Sequence, residues 1–168
     1  MINAKLMKKF LEKAVNKLSG EWIIIGGTVL PLLGIDHRVT LDIDIINLNF
    51  ESSNNDSLKL MEIANELKLP IESINQAGAY YLSKIEDIAE HLVLLQQSKK
   101  CKIYRPDAYL FIKLKIERFS ETDLEDCVQF IKNNKKEYLL YKKDISKMVL
   151  QKSKHASDEV KMRLIRFL

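Results

Sequence analysis

The 168-residue sequence is poor in the residues that cross-link small proteins or bind zinc. Its two cysteines, Cys101 and Cys127, have neither the spacing of a metal-binding pair nor enough partners for a disulfide framework. The three histidines are scattered along the chain and make no zinc-binding set. These absences argue against a disulfide-rich secreted protein and against a zinc protein, so we expect a reduced, cytoplasmic protein.

Long apolar runs and several familiar motifs are missing too. No run approaches the roughly 20 residues of a membrane span, and the first residues lack the apolar core of a secretory signal, so no membrane association is expected. The glycine pair Gly26-Gly27 is followed by neither the Gly-Lys-Ser/Thr of a P-loop nor the third glycine of a dinucleotide fingerprint. No Gly-x-Ser-x-Gly sequence supports a hydrolase.

The charges that are present are unevenly distributed. The whole chain has a net charge of +4, and 46% of its residues are hydrophobic, which suffices for one domain or a core with a small appendage. Residues 133–168 contain ten Lys or Arg but only four Asp or Glu. A basic C-terminal segment indicates a polyanionic partner such as nucleic acid, although a solvated lysine-rich surface has the same composition.

The apolar pattern predicts an α+β fold with an α/β nucleus in residues 1–105 and a helical part in residues 106–168. Predicted helices cover residues 3–18, 28–33, 58–68, 107–118, 122–132, 137–150 and 157–167, and predicted strands cover residues 22–25, 39–47 and 70–74, with a hairpin of 92–95 and 101–104. Trp22, Tyr80, Tyr81 and Phe111 are expected in the core, and Lys115 and Arg118 are expected to be solvated.

Two aspartates, Asp42 and Asp44, alternate with apolar residues in the second predicted strand. Aspartate is unfavourable in strands, and side chains at positions i and i+2 point to the same face. We therefore expect both carboxylates to converge, with Leu41, Ile43 and Ile45 facing the core. Paired carboxylates suit Mg²⁺ or Mn²⁺, whereas the alternative is an exposed strand edge decorated with acids.

Other polar positions are expected close to these aspartates. Arg38 and Thr40 should share their side of the strand, which makes a polar site on a buried wall. Gly26-Gly27, between a buried strand and a short helix, would present unhindered backbone N–H groups to an anion. An isolated glycine pair is otherwise often a simple turn.

These residues match a known pattern. Gly26-Gly27-Thr28 followed by Arg38-x-Thr40-x-Asp42-x-Asp44 resembles the signature of the nucleotidyltransferase superfamily, the fold of DNA polymerase beta. More narrowly, it is similar to AbiEii-type toxins and related minimal nucleotidyltransferases. Their helical signature resembles Lys113-Leu114 through Arg118 and then Asp123-Leu124-Glu125-Asp126, with Thr122 in place of a lysine. The resemblance, over residues 22 to about 131, implies a small mixed sheet flanked by helices.

The resemblance also implies roles for the matching residues. By this resemblance, the nucleotide would be bound by Gly26, Gly27, Thr28, Arg38 and Thr40. The metal would be bound by Asp42 and Asp44, and the charge of the triphosphate would be neutralised by Lys113. The third carboxylate of the site would be Asp123 if the chain is like the toxin-like branch of the superfamily, or Glu72 if it is like the polymerase-like branch.

The implied activity is Mg²⁺- or Mn²⁺-dependent transfer of a nucleoside monophosphate from an NTP to a tRNA or protein hydroxyl, in toxin–antitoxin or phage-defence biology. The implied partners are the NTP, tRNA or another nucleic acid at the basic helices, and a cognate toxin or antitoxin. The alternatives are an inactive nucleotidyltransferase-fold protein that binds a nucleotide or partner, and a partner-binding component of a toxin–antitoxin pair.

Overall fold

A computed structural model describes residues 1–50 and 54–168 of the chain. It divides into two compact units, Met1–Pro106 and Asp107–Leu168. Within the described residues no helix is long and apolar enough to cross a membrane. Residues 51–57 are polar, which predicts a loop before the helix of residues 58–68. This loop lies partly outside the described residues, and the helix begins at Asn54 rather than at residue 58.

The first unit is built on a mixed five-stranded sheet with the strand order β3-β2-β1-β5-β4. Strand β1 pairs antiparallel with β2 and parallel with β5, while β3 runs parallel to β2 and β4 antiparallel to β5. The strands are β1 Gly20–Ile25, β2 Ile43–Asn47, β3 Ile74–Asn75, β4 Leu92–Gln97 and β5 Cys101–Pro106. The predicted hairpin is therefore confirmed as β4 and β5.

Helices of the first unit flank this sheet. They are α1 Ala4–Lys17, α2 Val29–Leu32, α3 Asn54–Glu66 and α4 Ala79–Leu82, with 3-10 turns at Gly26–Thr28, Ile71–Ser73 and Ile88–His91. Helix α1 begins where the side chain of Asn3 accepts a 2.9 Å hydrogen bond from the amide of Leu6. The apolar faces of α1 and α3 share one buried core with Trp22 and Ile24 of β1. The predicted α+β class is thus confirmed.

Strand β2 is shorter than the sequence predicts. Ile43 and Ile45 are fully buried as expected, but Leu41, predicted to face the core, is 65% exposed. The prediction of a strand from residue 39 is therefore wrong for its first half. After Ile25, which pairs with Asp44, the chain leaves β1 and enters a 3-10 turn. Strand β1 therefore provides no pairing partner for the residues before Ile43. Thr40 instead accepts a 2.8 Å hydrogen bond from the amide of Ile2.

The second unit is helical, as predicted. Its helices are α5 Ala108–Ile116, α6 Glu121–Asn133, α7 Lys135–Ser153 and α8 Asp158–Phe167. The side chains of Asp107, Ser120 and Ser157 cap the N-termini of α5, α6 and α8. Phe111 of α5 stacks on Phe130 of α6 with ring centroids 4.6 Å apart, which anchors these helices to each other.

Of the four aromatic residues predicted to lie in the core, two are buried and two are exposed. Trp22 and Phe111 are buried, as predicted. Tyr80 and Tyr81 are 64% and 60% exposed, so their assignment to the core is wrong. Helix α4 has a single turn, and Leu82 is the residue that it buries.

Candidate functional site

The candidate site lies at the end of β1, where Ile25 leads into the 3-10 turn of Gly26–Thr28. Gly26 has a φ of +69°, a conformation that residues with a Cβ rarely adopt. The carboxylate of Asp44 packs directly on this glycine: an added Cβ would lie 3.1 Å from Asp44 Cγ and would overlap Oδ2. Glycine is therefore required here for both its backbone conformation and its missing side chain.

The second glycine is covered by a positive charge. A Cβ on Gly27 would lie 3.2 Å from Cζ of Arg38 and would overlap its Nη2. The same guanidinium donates a 3.3 Å hydrogen bond through Nη1 to the carbonyl of Val39. A carboxylate and a guanidinium thus lie against two adjacent residues of the backbone.

Thr28 connects this turn to the start of β2. Its fully buried hydroxyl donates a 2.9 Å hydrogen bond to the carbonyl of Asp42 and accepts a 3.4 Å hydrogen bond from the amide of Asp44. Because the hydroxyl is occupied in this way, it positions the backbone of both aspartates. Thr40 is also buried, and its carbonyl is bonded to Ile2.

The two aspartates differ in their surroundings. Asp42 precedes β2 and is exposed, whereas Asp44 lies within β2 and is half-buried. Asp44 lies on the sheet face opposite the buried Ile43 and Ile45, because neighbouring residues of a strand alternate in direction. Asn75 of β3 is its partner in the sheet. We missed Asn75 as a site residue because the predicted third strand stopped one residue before it.

The sequence of the chain matches a known protein family. Residues 4–161 match a family described as nucleotidyltransferase of unknown function, DUF6036. The chain belongs to this family. The superfamily that the motifs indicate is thereby confirmed, and the match includes both compact units. No curated protein and no solved structure matches the chain.

The acidic pair of this nucleotidyltransferase can be compared with what a divalent cation needs. Mg²⁺ is usually held by one or two carboxylates and completes its shell with water and substrate phosphates. Asp42 and Asp44 fit that donor set, and the missing side chain of Gly26 is what allows the carboxylate of Asp44 to lie against the turn. Among residues 1–50 and 54–168, no group of three or more His, Cys, Asp and Glu side chains is placed to hold a metal ion.

The helical motif forms an ion cluster in the second unit, in which Lys115, Asp123 and Asp126 are buried and Arg118 is exposed, as predicted for Arg118. The ammonium of Lys115 lies 3.1 Å from Oδ1 of Asp123 and 2.7 Å from Oδ2 of Asp126. Arg118 donates to both oxygens of Asp123, at 3.0 and 3.1 Å. The prediction that Lys115 is solvated is wrong, since 9% of it is exposed. The sequence does contain a signal for this burial. Asp123 and Asp126 are three residues apart, so they share one face of a helix, where both can pair with Lys115.

Asp123, predicted as the third catalytic carboxylate, is fully engaged within this cluster. Ser120 and Asp123 also form a capping box at the start of α6. Burial would raise the pKa of the Asp123 carboxyl, but the hydrogen bond from Arg118, the charge of Lys115 and the hydrogen bond from Ser120 lower it well below its usual range. Its oxygens accept from Lys115, Arg118 and Ser120, which fills the acceptor capacity of a carboxylate.

The remaining predicted site residues have simpler surroundings. Lys113 of α5 is half-buried, with its ammonium 5.2 Å from the ring centroid of Tyr109, within the range of a cation–π interaction. Glu72, the other candidate for the third carboxylate, is exposed. It lies in a 3-10 turn and not in the strand predicted there, because β3 begins only at Ile74.

We predict that Gly26→Ala destabilises the protein more than Gly34→Ala does. Both glycines have a left-handed φ, +69° and +72°, so both substitutions strain the backbone, by roughly 1–2 kcal/mol. Only at Gly26 does the new Cβ collide with Asp44, since nothing lies within 4 Å of the corresponding Cβ at Gly34. Urea denaturation of both variants measures the difference, and equal losses in the free energy of unfolding would contradict the close packing of Asp44.

We predict that Asp123→Asn lowers the free energy of unfolding by about 3 kcal/mol at neutral pH, because it leaves buried positive charge incompletely paired. Since the pKa of Asp123 is depressed on folding, its contribution is complete above the unfolded pKa, near 4, and decreases as the pH falls below it. The difference between wild type and variant should therefore be smaller at about pH 3 than at about pH 7.

Denaturation across this pH range tests the prediction, with Glu125→Gln as the control. Glu125 is an exposed acid of the same helix, and removing its charge should have little effect. A loss for Asp123→Asn that is independent of pH would show that the carboxylate does not contribute through its charge.

Proposed function

We propose that the protein transfers a nucleoside monophosphate from an NTP to an acceptor hydroxyl, with the triphosphate bound at Gly26-Gly27. The observation that carries this proposal is the packing of the Asp44 carboxylate and the Arg38 guanidinium on these two glycines. A group that attracts a cation and a group that attracts a phosphate thus lie on adjacent backbone positions. The family's description as a nucleotidyltransferase supports the same chemistry.

Each group has a defined part in the proposed site. Because the two glycines lack side chains, Asp44 and Arg38 lie directly against the turn, and Arg38 would offset the negative charge of phosphates bound beside it. Asp42 and Asp44 would hold a Mg²⁺ or Mn²⁺ ion. When bound, that ion would neutralise charge on the phosphates and on the leaving group. Thr28 keeps the two aspartates at their place beside the turn.

The proposed reaction is a displacement at the α-phosphorus. The acceptor oxygen forms a bond to this phosphorus, and the bond from the phosphorus to the oxygen shared with the β-phosphate breaks. Pyrophosphate leaves with that electron pair, and the proton of the acceptor hydroxyl passes to solvent. The chain contributes mainly by positioning the reactants and neutralising charge, as is general for this class of reaction.

Residues outside this turn have supporting roles in the proposal. Lys113 remains the candidate for neutralising triphosphate charge, as its motif suggests. The engaged oxygens of Asp123 favour a role in organising the second unit over direct metal binding. The burial of Thr40 favours a structural role for it over contact with the nucleotide.

The acceptor we propose is tRNA or another nucleic acid, with a protein hydroxyl as the second candidate. Helix α7 supports the first choice, because it carries five exposed lysines: Lys135, Lys136, Lys142, Lys143 and Lys147. Several basic residues of α8 are instead in ion pairs, such as Arg163 with Glu121. A relationship to AbiEii-type toxins and a cognate toxin or antitoxin partner in the cytoplasm also belong to the proposal, on the strength of the motifs alone.

One observation favours a second candidate, a nucleotide-binding module without turnover. The described residues contain no group of three metal-ligating side chains, and both oxygens of Asp123 are engaged. A protein of this kind would bind a nucleotide at the same glycine pair and transfer nothing.

We predict that the protein binds at least one of ATP, GTP, CTP and UTP in the presence of Mg²⁺, and that the double variant Asp42→Asn/Asp44→Asn does not. The variant keeps the size of both side chains but removes the charge that would hold the ion. Titration calorimetry with and without Mg²⁺ measures this. Asp36→Asn is the matched control, because Asp36 is an exposed acid of the segment between α2 and β2, which also contains Asp42.

The position of a phosphorus label separates the two candidates. A transferase moves label from the α-phosphate of the NTP onto tRNA or a protein acceptor and releases pyrophosphate, whereas a binding module moves none. Absence of NTP binding to the folded wild-type protein, or binding that needs neither Mg²⁺ nor the aspartates, would rule out the proposed site.

A further inference from the structure

Helix α4 presents two aromatic rings to solvent. Tyr80 and Tyr81 meet edge to face with ring centroids 5.5 Å apart, and both side chains are largely exposed. The ammonium of Lys84 lies 3.8 Å from the ring centroid of Tyr80. Exposed aromatic rings with a cation beside them are typical of surfaces on which nucleobases stack.

The start of α4 packs on the same strand end that carries the glycine pair. Gly78, just before α4, has no room for a side chain: a Cβ there would overlap Cδ1 of Ile25 and lie 3.0 Å from Cδ1 of Ile46. Ile25 is the residue before Gly26 and the sheet partner of Asp44. Tyr80 follows Gly78 by two residues, which limits their Cα separation to about 7–8 Å.

The segment that leads into α4 is anchored beside Asp44. Asn75 pairs with Asp44 in the sheet, and its side-chain oxygen accepts a 3.2 Å hydrogen bond from the amide of Ala77. Three residues after Asn75 the chain reaches Gly78 at its contact with Ile25. The tyrosines therefore follow directly after a short segment that contacts the sheet at Asp44 and at Ile25.

We propose that Tyr80 and Tyr81 bind the nucleobase of the donor NTP, while its phosphates lie at Gly26-Gly27. This inference rests on the proposed function, because it takes the position of the triphosphate from it. The ammonium of Lys84 lies over the Tyr80 ring and places a positive charge beside it. Because every base has a π-face, stacking here stabilises binding of all four NTPs and gives little selectivity among them.

The test compares Tyr80→Ala/Tyr81→Ala with Tyr80→Phe/Tyr81→Phe. Affinities for ATP, GTP, CTP, UTP, inorganic tripolyphosphate and a single-stranded oligonucleotide are measured by calorimetry with Mg²⁺. The alanine variant should bind each NTP that the wild type binds about tenfold more weakly, as expected for loss of one stacked base, and tripolyphosphate as tightly as the wild type does. The phenylalanine variant keeps the rings and should match the wild type for every ligand. Since both side chains are exposed, the urea midpoints should also match.

Three results would overturn the inference while the proposed function stands. They are an unchanged NTP affinity in the alanine variant, an equal loss for NTPs and tripolyphosphate, and a loss confined to a single-stranded oligonucleotide. Failure of the proposed function is recognised separately, because the wild-type protein would then bind neither an NTP nor tripolyphosphate, and the inference would fall with it.

Discussion

The contact between the carboxylate of Asp44 and the bare Cα of Gly26 is the constraint around which the first unit is arranged. It requires a left-handed glycine at the end of β1, and it fixes which residue of β2 pairs with Ile25. The Thr28 hydroxyl then ties the same turn to the backbone of Asp42 and Asp44. Aspartate is unfavourable in a strand, and Asp44 lies half-buried within β2, so the proposed use of Asp42 and Asp44 as a metal site gives a reason for the acidic pair.

The two units use charge in different ways. In the first unit, Asp44 and Arg38 lie against the two glycines of a turn, which have no side chains to keep them away. In the second unit, Lys115 and Asp123 belong to a buried cluster whose members satisfy one another. Such a cluster contributes to a unique arrangement of α5 and α6 more clearly than to net stability, because desolvation offsets much of the attraction between its charges.

Sequence patterns predicted elements with a regular apolar period well, and interactions between distant residues poorly. The amphipathic α1, the buried β1, the hairpin and the four C-terminal helices follow from periodicity. Strand β2 begins later than predicted because β1, its pairing partner, turns away after Ile25. The alternation of polar and apolar residues before Ile43 gives no sign of this turn. The burial of Lys115 depends on carboxylates 8 and 11 residues ahead on another helix. The packing of Asp44 and Arg38 on the glycines joins residues that are far apart in sequence, and only the family resemblance linked them beforehand.

The most direct test of the proposed site is a crystal structure with Mg²⁺ and an NTP analogue that cannot be cleaved between its α- and β-phosphates. The proposal predicts a metal ion about 2.0–2.1 Å from an oxygen of both Asp42 and Asp44, with the phosphates against Gly26 and Gly27. A triphosphate bound elsewhere on the chain, or a metal ion that touches neither aspartate, would contradict it.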